Sequence, residues 1–364
     1  MRTRRGVIAG FLASGLLPRL GWAALGNPTF LAAAQLPDDS YGLLGMDADG
    51  QALFTVPLPG RGHAAAAHPT RPEAVAFARR PGDFALIIEC TTGRQTARLQ
   101  APAGRHFYGH GVFSSDGSRL FTTENDYEAG RGVVGVWAAG EAYQRLGEFS
   151  SGGIGPHDIA RLPNSDTLVV ANGGLETHPD SGREKLNLAT MQPNLSYLST
   201  QGVRLEQIEM PTALRMNSIR HLAVRPDGLV AFAMQAQSRA GAAVGLIGFH
   251  QRGRPAELAV YPRSELVELQ GYIGSVAFST DGTQLALSSP RGGVVHYIDA
   301  EHKCYTRRIP NRDVCGIGAI AAGFLATAGT GRVTVMPNGR PSYHHSYPHR
   351  WDNHLIAAAP PSHG

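Results

Sequence analysis

The sequence predicts an all-β fold, a seven-bladed β-propeller made of four-stranded antiparallel blades. Three observations carry this expectation. Strand-like apolar runs recur along the chain with turn signals between them, and no helical periodicity of useful length intervenes. One unit, an apolar strand, a tight turn and a second apolar strand, returns six times. The two ends of the chain supply the parts of a seventh unit in the right order.

The six units begin at Gly62 (GHAAAAHPTRPEAVAFA), Gly109 (GHGVFSSDGSRLFTT), Pro156 (PHDIARLPNSDTLVVAN), Arg220 (RHLAVRPDGLVAFAM), Gly274 (GSVAFSTDGTQLALSS) and Cys315 (CGIGAIAAGFLATAG). The turns read SDG, PNSD, PDG and TDG, where Gly and Asp tolerate the required backbone angles. Two further strands follow in most units, as in DFALIIECTTG with RQTARLQAP. For the seventh blade, DNHLIAAAP near the C-terminus matches a first strand. TFLAAAQ, YGLLGMDADG and QALFTVPLPG near the N-terminus match the other three. Joining them removes the free sheet edges that invite aggregation. The competing architecture is a six-bladed ring with loose ends.

Composition agrees. The 45 glycines and 24 prolines suit many short strands and turns, and 42% hydrophobic residues are enough for a large core. Net charge is only +4, three of the basic residues fall in the first five positions, and no Lys/Arg stripe is present, so nucleic acid is not expected as a partner.

The N-terminus, MRTRRGVIAGFLASGLLPRLGWAALG, places Arg4-Arg5 before an apolar run from Val7 to Leu17 and then small residues. This is the pattern of a twin-arginine export signal, assigned to residues 1–25, with a single propeller domain over 26–364. The run is too short to span a bilayer, so no membrane span is expected after signal removal. The expected compartment is the periplasm, and the expected state is a monomer. Of the three cysteines, Cys90 reads as a buried hydrophobe, and Cys304 and Cys315 are close enough in sequence to be a candidate pair.

The histidines fall in register. Six residues before Asp116, Asp227 and Asp281 stand His110, His221 and Ser275. The same register contains His63, His157, Gly316 and His354, so five of seven blades carry histidine at the start of the innermost strand. First strands start at one face, and the five side chains are expected to gather at one mouth of the channel. Convergent imidazoles suit Fe, Cu, Zn or Ni. They equally suit hydrogen bonds across the channel or an ordered water ring. The tail histidines His344, His345 and His349 fall outside the register, in what reads as a connection. His68, His250, His296 and His302 read as packing or surface residues.

The loops joining second and third strands should lie at the same mouth, and three are long: 124–132, 172–196 and 234–242. Long loops in compact folds commonly bind ligands. They make Glu124, Asp126, His178 and Arg183 accessory candidates, with Arg291 and Cys315 from neighbouring segments. Arg105, Arg131 and Arg220 add positive charge that suits an anion.

Several motifs, among them GRHFYGHGVFS, TENDYEAGRGVVGVW, VVANGGLETHPDSGREKLNL, SIRHLAV and WDNHL, resemble the bacterial domain of unknown function 1513 family over nearly the whole chain. That resemblance implies an exported propeller whose genes lie near imelysin-like and di-haem oxidoreductase-like proteins, in clusters linked to iron uptake. It implies a role in iron, or alternatively copper, handling, and those two proteins as partners. It implies no catalytic residues. Three functions therefore compete: a metal-binding protein using the five histidines, a metal-dependent oxidoreductase or hydrolase, and a scaffold for an imelysin- or cytochrome-like partner. No G-x-S-x-G nucleophile motif and no haem-attachment C-x-x-C-H occurs.

Overall fold

Seven antiparallel sheets follow one another along the chain in a computed structural model, which describes residues 21–358 apart from 80–82, 141, 183, 239–244, 338–339 and 342. Residues 1–20, which hold most of the expected export signal, and Arg183 lie outside the described residues. Each sheet is one blade, and the fold is the expected seven-bladed propeller. The inner strands of blades 1 to 6 are Gly62–Ala67, Arg105–Phe113, Pro156–Arg161, Asn217–Val224, Ser275–Phe278 and Val314–Ile320.

Each blade packs both faces against its neighbours, so its middle strands are apolar on both sides. Thr167–Asn172 is buried at every position, and Leu168 with Val170 meets Phe121 and Val134 of the preceding blade. Outer strands such as Arg204–Glu209 face water and carry charge. The recurring turns are held by their aspartates. Asp116 Oδ1 accepts from the Ser118 amide at 2.9 Å and from the Ser114 hydroxyl at 2.6 Å, and Asp281 repeats the arrangement with Thr283 and Ser279.

Blade 7 combines Phe30–Gln35, Tyr41–Met46 and Ala52–Leu58 with the C-terminal strand, as expected. The closing strand is not continuous. Arg350–Trp351 pairs with Gln35 and Ala34, and Ile356–Ala357 pairs with Leu31 and Phe30. Four residues, Asp352 to Leu355, thus stand opposite two, Ala32 and Ala33. Trp351 is the latch: it is buried among Phe30, Leu44 and Leu325, and its Nε1 donates to the Gly331 carbonyl at 3.3 Å. Trp351→Ala should cost about 3–5 kcal/mol of stability, as for other buried large-to-small changes, measurable by urea denaturation.

Three details differ from the sequence reading. His344 and His345 lie in a fourth strand of blade 6, Tyr343–Ser346, rather than in a connection. A six-residue helix, Arg263–Glu268, precedes the inner strand of blade 5. Trp22, within the segment assigned to the signal, packs against the core of blades 7 and 1, and its Nε1 donates to the His68 carbonyl at 3.0 Å. All three cysteines are free thiols, so Cys304 and Cys315 do not pair.

Candidate metal centre

The inner strands do not run straight to the channel mouth. In blade 1, Gly62 faces Ala78 but Ala65 faces Ala76, so three steps run against two. Equivalent irregularities occur between Phe107 and Gly111, Pro156 and Asp158, Ile219 and His221, and Val314 and Ile317. A bulge turns a side chain out of strict alternation. Here each bulge falls at or beside the register position and aims it into the channel. Gly109 shows how tight the packing is. Its φ is +98°, and a Cβ there would lie 2.7 Å from His63 Cδ2.

The five histidines form a compact cluster rather than an open ring. His63, His157, His221 and His354 make a closed circuit with ring centroids 5.9, 5.0, 5.0 and 4.6 Å apart. His110 touches all four, at 5.1, 5.0, 6.3 and 4.7 Å. His354 reaches the middle because blade 6 carries glycine at its register position. A Cβ on Gly316 would lie 2.9 Å from the His354 carbonyl carbon. Ser275 of blade 5 accepts the Ile317 amide at 3.2 Å and joins its blade to blade 6.

Carboxylates and a carbonyl hold the rings from behind. Asp158 Oδ1 lies 3.1 Å from His110 Nδ1, and Asp352 Oδ1 lies 3.5 Å from His63 Nδ1. His157 Nδ1 donates to the Arg220 carbonyl at 2.8 Å. Each backing atom is an acceptor, so on His110 and His157 the proton belongs on Nδ1 and the lone pair on Nε2. This outer support is what metal-ligating imidazoles usually have. Asp158 is fixed in turn by the Leu222 amide at 3.0 Å.

Burial disfavours charge on four of the rings. It lowers His63 to about 4 despite Asp352 and His221 to about 3 despite Asp158; His157 and His354 also fall well below the usual histidine value. Burial alone would raise Asp158, but the charge and hydrogen bond of His110, then His221, outweigh it and leave the carboxyl lowered. Asp352 behaves alike, with His63, Arg79 and Arg61 holding it ionised against burial.

The donor set fits a transition metal. His110 Nε2, His354 Nε2 and both nitrogens of His221 are buried without a hydrogen-bond partner among the described residues. Such orphans are costly unless something else engages them. Ligand atoms of His110, His221 and His354 lie within 4.8 Å of one another, and so do those of His63, His110 and His157. Three nitrogens arranged tetrahedrally on one ion at 2.0–2.1 Å lie about 3.4 Å apart, so side-chain shifts of less than about an ångström bring either trio into range.

Of the accessory candidates, Glu124, Asp126 and His178 are engaged with other partners, whereas Cys315 and Arg291 line the mouth. Glu124 is fully buried under the outer half of blade 2, where Arg145 clasps both its oxygens at 2.8 and 2.9 Å. Asp126 pairs with Arg131 at 2.8 Å and Arg105 at 3.4 Å, which engages both arginines in a rim network with Glu148. His178 caps a short 3-10 turn by accepting from the Asp180 amide at 3.2 Å and meets Tyr127 edge to face, joining two long loops. Cys315 lines the mouth but donates to the Asp313 carbonyl, and burial, with Asp313 beside it, pushes its thiol up to about 12. Arg291 lies at the mouth, over the Tyr272 ring at 4.5 Å.

Sequence reasoning missed Asp158 and Asp352. Their signal was an aspartate beside a register histidine, in PHD and in WDNH. It also passed over His296, which groups with Glu265 and Glu268. There the Arg308 guanidinium already sits on both carboxylates. No helix among the described residues is long and apolar enough to cross a membrane.

Comparison with known proteins agrees with the fold. A chain of Kuenenia stuttgartiensis hydrazine synthase superposes with a TM-score of 0.60 at 13% identity, covering 89% of this chain and 96% of that one, which is a likeness of fold alone. No curated protein matches the sequence. The family model described as "Protein of unknown function (DUF1513)" matches residues 56–358, most of the propeller, and the chain belongs to that family.

Proposed function

We propose that the protein binds a transition-metal ion at the five-histidine cluster and serves metal handling in the periplasm, with iron first and copper second. The observation that carries this reading is the set of buried imidazoles with unpartnered nitrogens close to one another, of which His110 and His157 are backed by acceptors on their far sides. An all-imidazole set suits Fe, Cu, Zn and Ni. The choice of iron rests on what the family resemblance implies about gene neighbours. Arg4-Arg5 and the apolar run after them support export by the twin-arginine route, which carries folded proteins. The imelysin-like and di-haem oxidoreductase-like neighbours are proposed as partners on the same ground.

Elemental analysis of protein isolated without chelators should find about one equivalent of metal per chain. The double variant His110→Ala/His221→Ala, which takes a donor from both trios, should hold none. Copper in place of iron would keep the metal site and change its identity. Wild-type protein that arrives metal-free and ignores added Fe, Cu and Zn would overturn the proposal.

A further inference from the structure

His63, His157 and His221 line a chamber of about 200 Å³, together with Tyr108, Arg220 and Gln235. A wider cleft of about 520 Å³ opens beside it, and the two share Arg79, Tyr272 and Asn353 as a common wall. Together they have the size of an ordinary small-molecule site.

The walls are cationic. Arg61, Arg79, Arg220, Arg291 and Arg350 line the two spaces against only Asp313 and Asp352. Asp352 is spent internally, since Arg61 and Arg79 each bind one of its oxygens at 2.7 Å. Burial raises the pKa of Asp313, and Arg312 opposes the shift. Arg291 and Arg350 have no carboxylate within ion-pair distance among the described residues, nor has Lys185 of the long 173–193 loop. Lys185 belongs to the same field. Burial lowers its pKa, and repulsion from Arg220 and Arg291 adds to the shift. Like charges gathered over one opening repel unless an anion joins them.

The placement favours an anion with more than one charged end. Arg291 and Arg350 line the outer cleft, whereas Arg220 lines the inner chamber. Arg291 is pre-set on Tyr272, which leaves its planar fork free for a bidentate carboxylate. We infer that the mouth beside the histidines is a binding site for a small oligocarboxylate, gripped at one end by Arg291 and Arg350 and at the other by Arg220. This goes beyond the metal reading and does not need it.

Citrate is the probe, titrated calorimetrically into protein freed of metal by a neutral chelator, because EDTA is itself an oligocarboxylate. Citrate should bind at least tenfold more tightly than acetate or inorganic phosphate, and less tightly as salt rises. Arg291→Ala and Arg350→Ala, both at exposed positions where folding is not at risk, should each weaken citrate about tenfold. Arg291→Glu should weaken it by more than a hundredfold. The His110→Ala/His221→Ala variant should still bind citrate, which separates this inference from the metal site. Citrate no tighter than acetate, phosphate as tight as citrate, or equal citrate affinity in Arg291→Glu would each overturn it.

Discussion

Replacing His110 by alanine is expected to lower metal affinity by at least about a hundredfold. His110 is the hub of the cluster, the one ring in contact with all four others. It also belongs to both trios whose ligand atoms approach one another. Either trio therefore loses a donor. The companion variant Asp158→Asn keeps every ring but removes the carboxylate behind His110 Nδ1. Loss of such an outer partner typically costs 10- to 100-fold in metal affinity. Competition titration against a chromophoric chelator measures both. The metal-free form of His110→Ala should stay folded, because the change also removes a buried nitrogen that had no partner. Unchanged metal affinity in His110→Ala would move the site away from the channel.

Metal-free protein is expected to lose stability steeply as pH falls below about 6.5. His63, His157, His221 and His354 have folded pKa values below the ordinary 6.5, and burial is the largest cause for each. The unfolded chain takes up protons below 6.5 while the folded chain does not. The stability is therefore fully present above 6.5. It is lost as the pH drops towards about 4 for His63 and about 3 for His221. Each such histidine contributes about 1.4 kcal/mol per pH unit, and four give a slope of roughly 5 kcal/mol per unit. Asp158 and Asp352 have lowered values and stay ionised through this window, so their own contribution fades only at lower pH. Against a total stability of about 5–15 kcal/mol, acid unfolding should set in two or three units below neutrality. Urea denaturation at intervals between pH 7.5 and 4.5 reads the slope. A flat profile would mean that the rings are solvated or already charged. Bound metal should shift the loss to lower pH, since protons and metal compete for the same lone pairs.

The propeller was legible because its evidence is periodic. Recurring apolar strands, an Asp-Gly turn at one offset and a vacancy filled by the two ends need no tertiary knowledge. The five register histidines came with it, since a shared offset in repeated blades implies a shared place around the axis. What stayed hidden depends on breaks in that period. Glu124 lies near the mouth in sequence, but the sheet pairs it with Val133 and turns its carboxylate over Gly135 to Arg145. Asp158 follows His157 directly, and strict alternation would put them on opposite faces. The bulge between Pro156 and Asp158 places the carboxylate behind His110 of the neighbouring blade. The closing strand was foreseen as one run. Its interruption at Asp352 to Leu355 rests on the space left by Gly316.

That interruption ties two events in time. Trp351 latches the ring, Asp352 backs His63, and His354 completes the cluster, all within four consecutive residues that follow every other blade in the chain. During synthesis the other four histidines emerge first, with no fifth ring to close their circuit. A nascent or C-terminally trimmed chain thus has neither a sealed toroid nor a finished set of donors. Loading of the centre would report that the polypeptide had been made to its last strand and had shut.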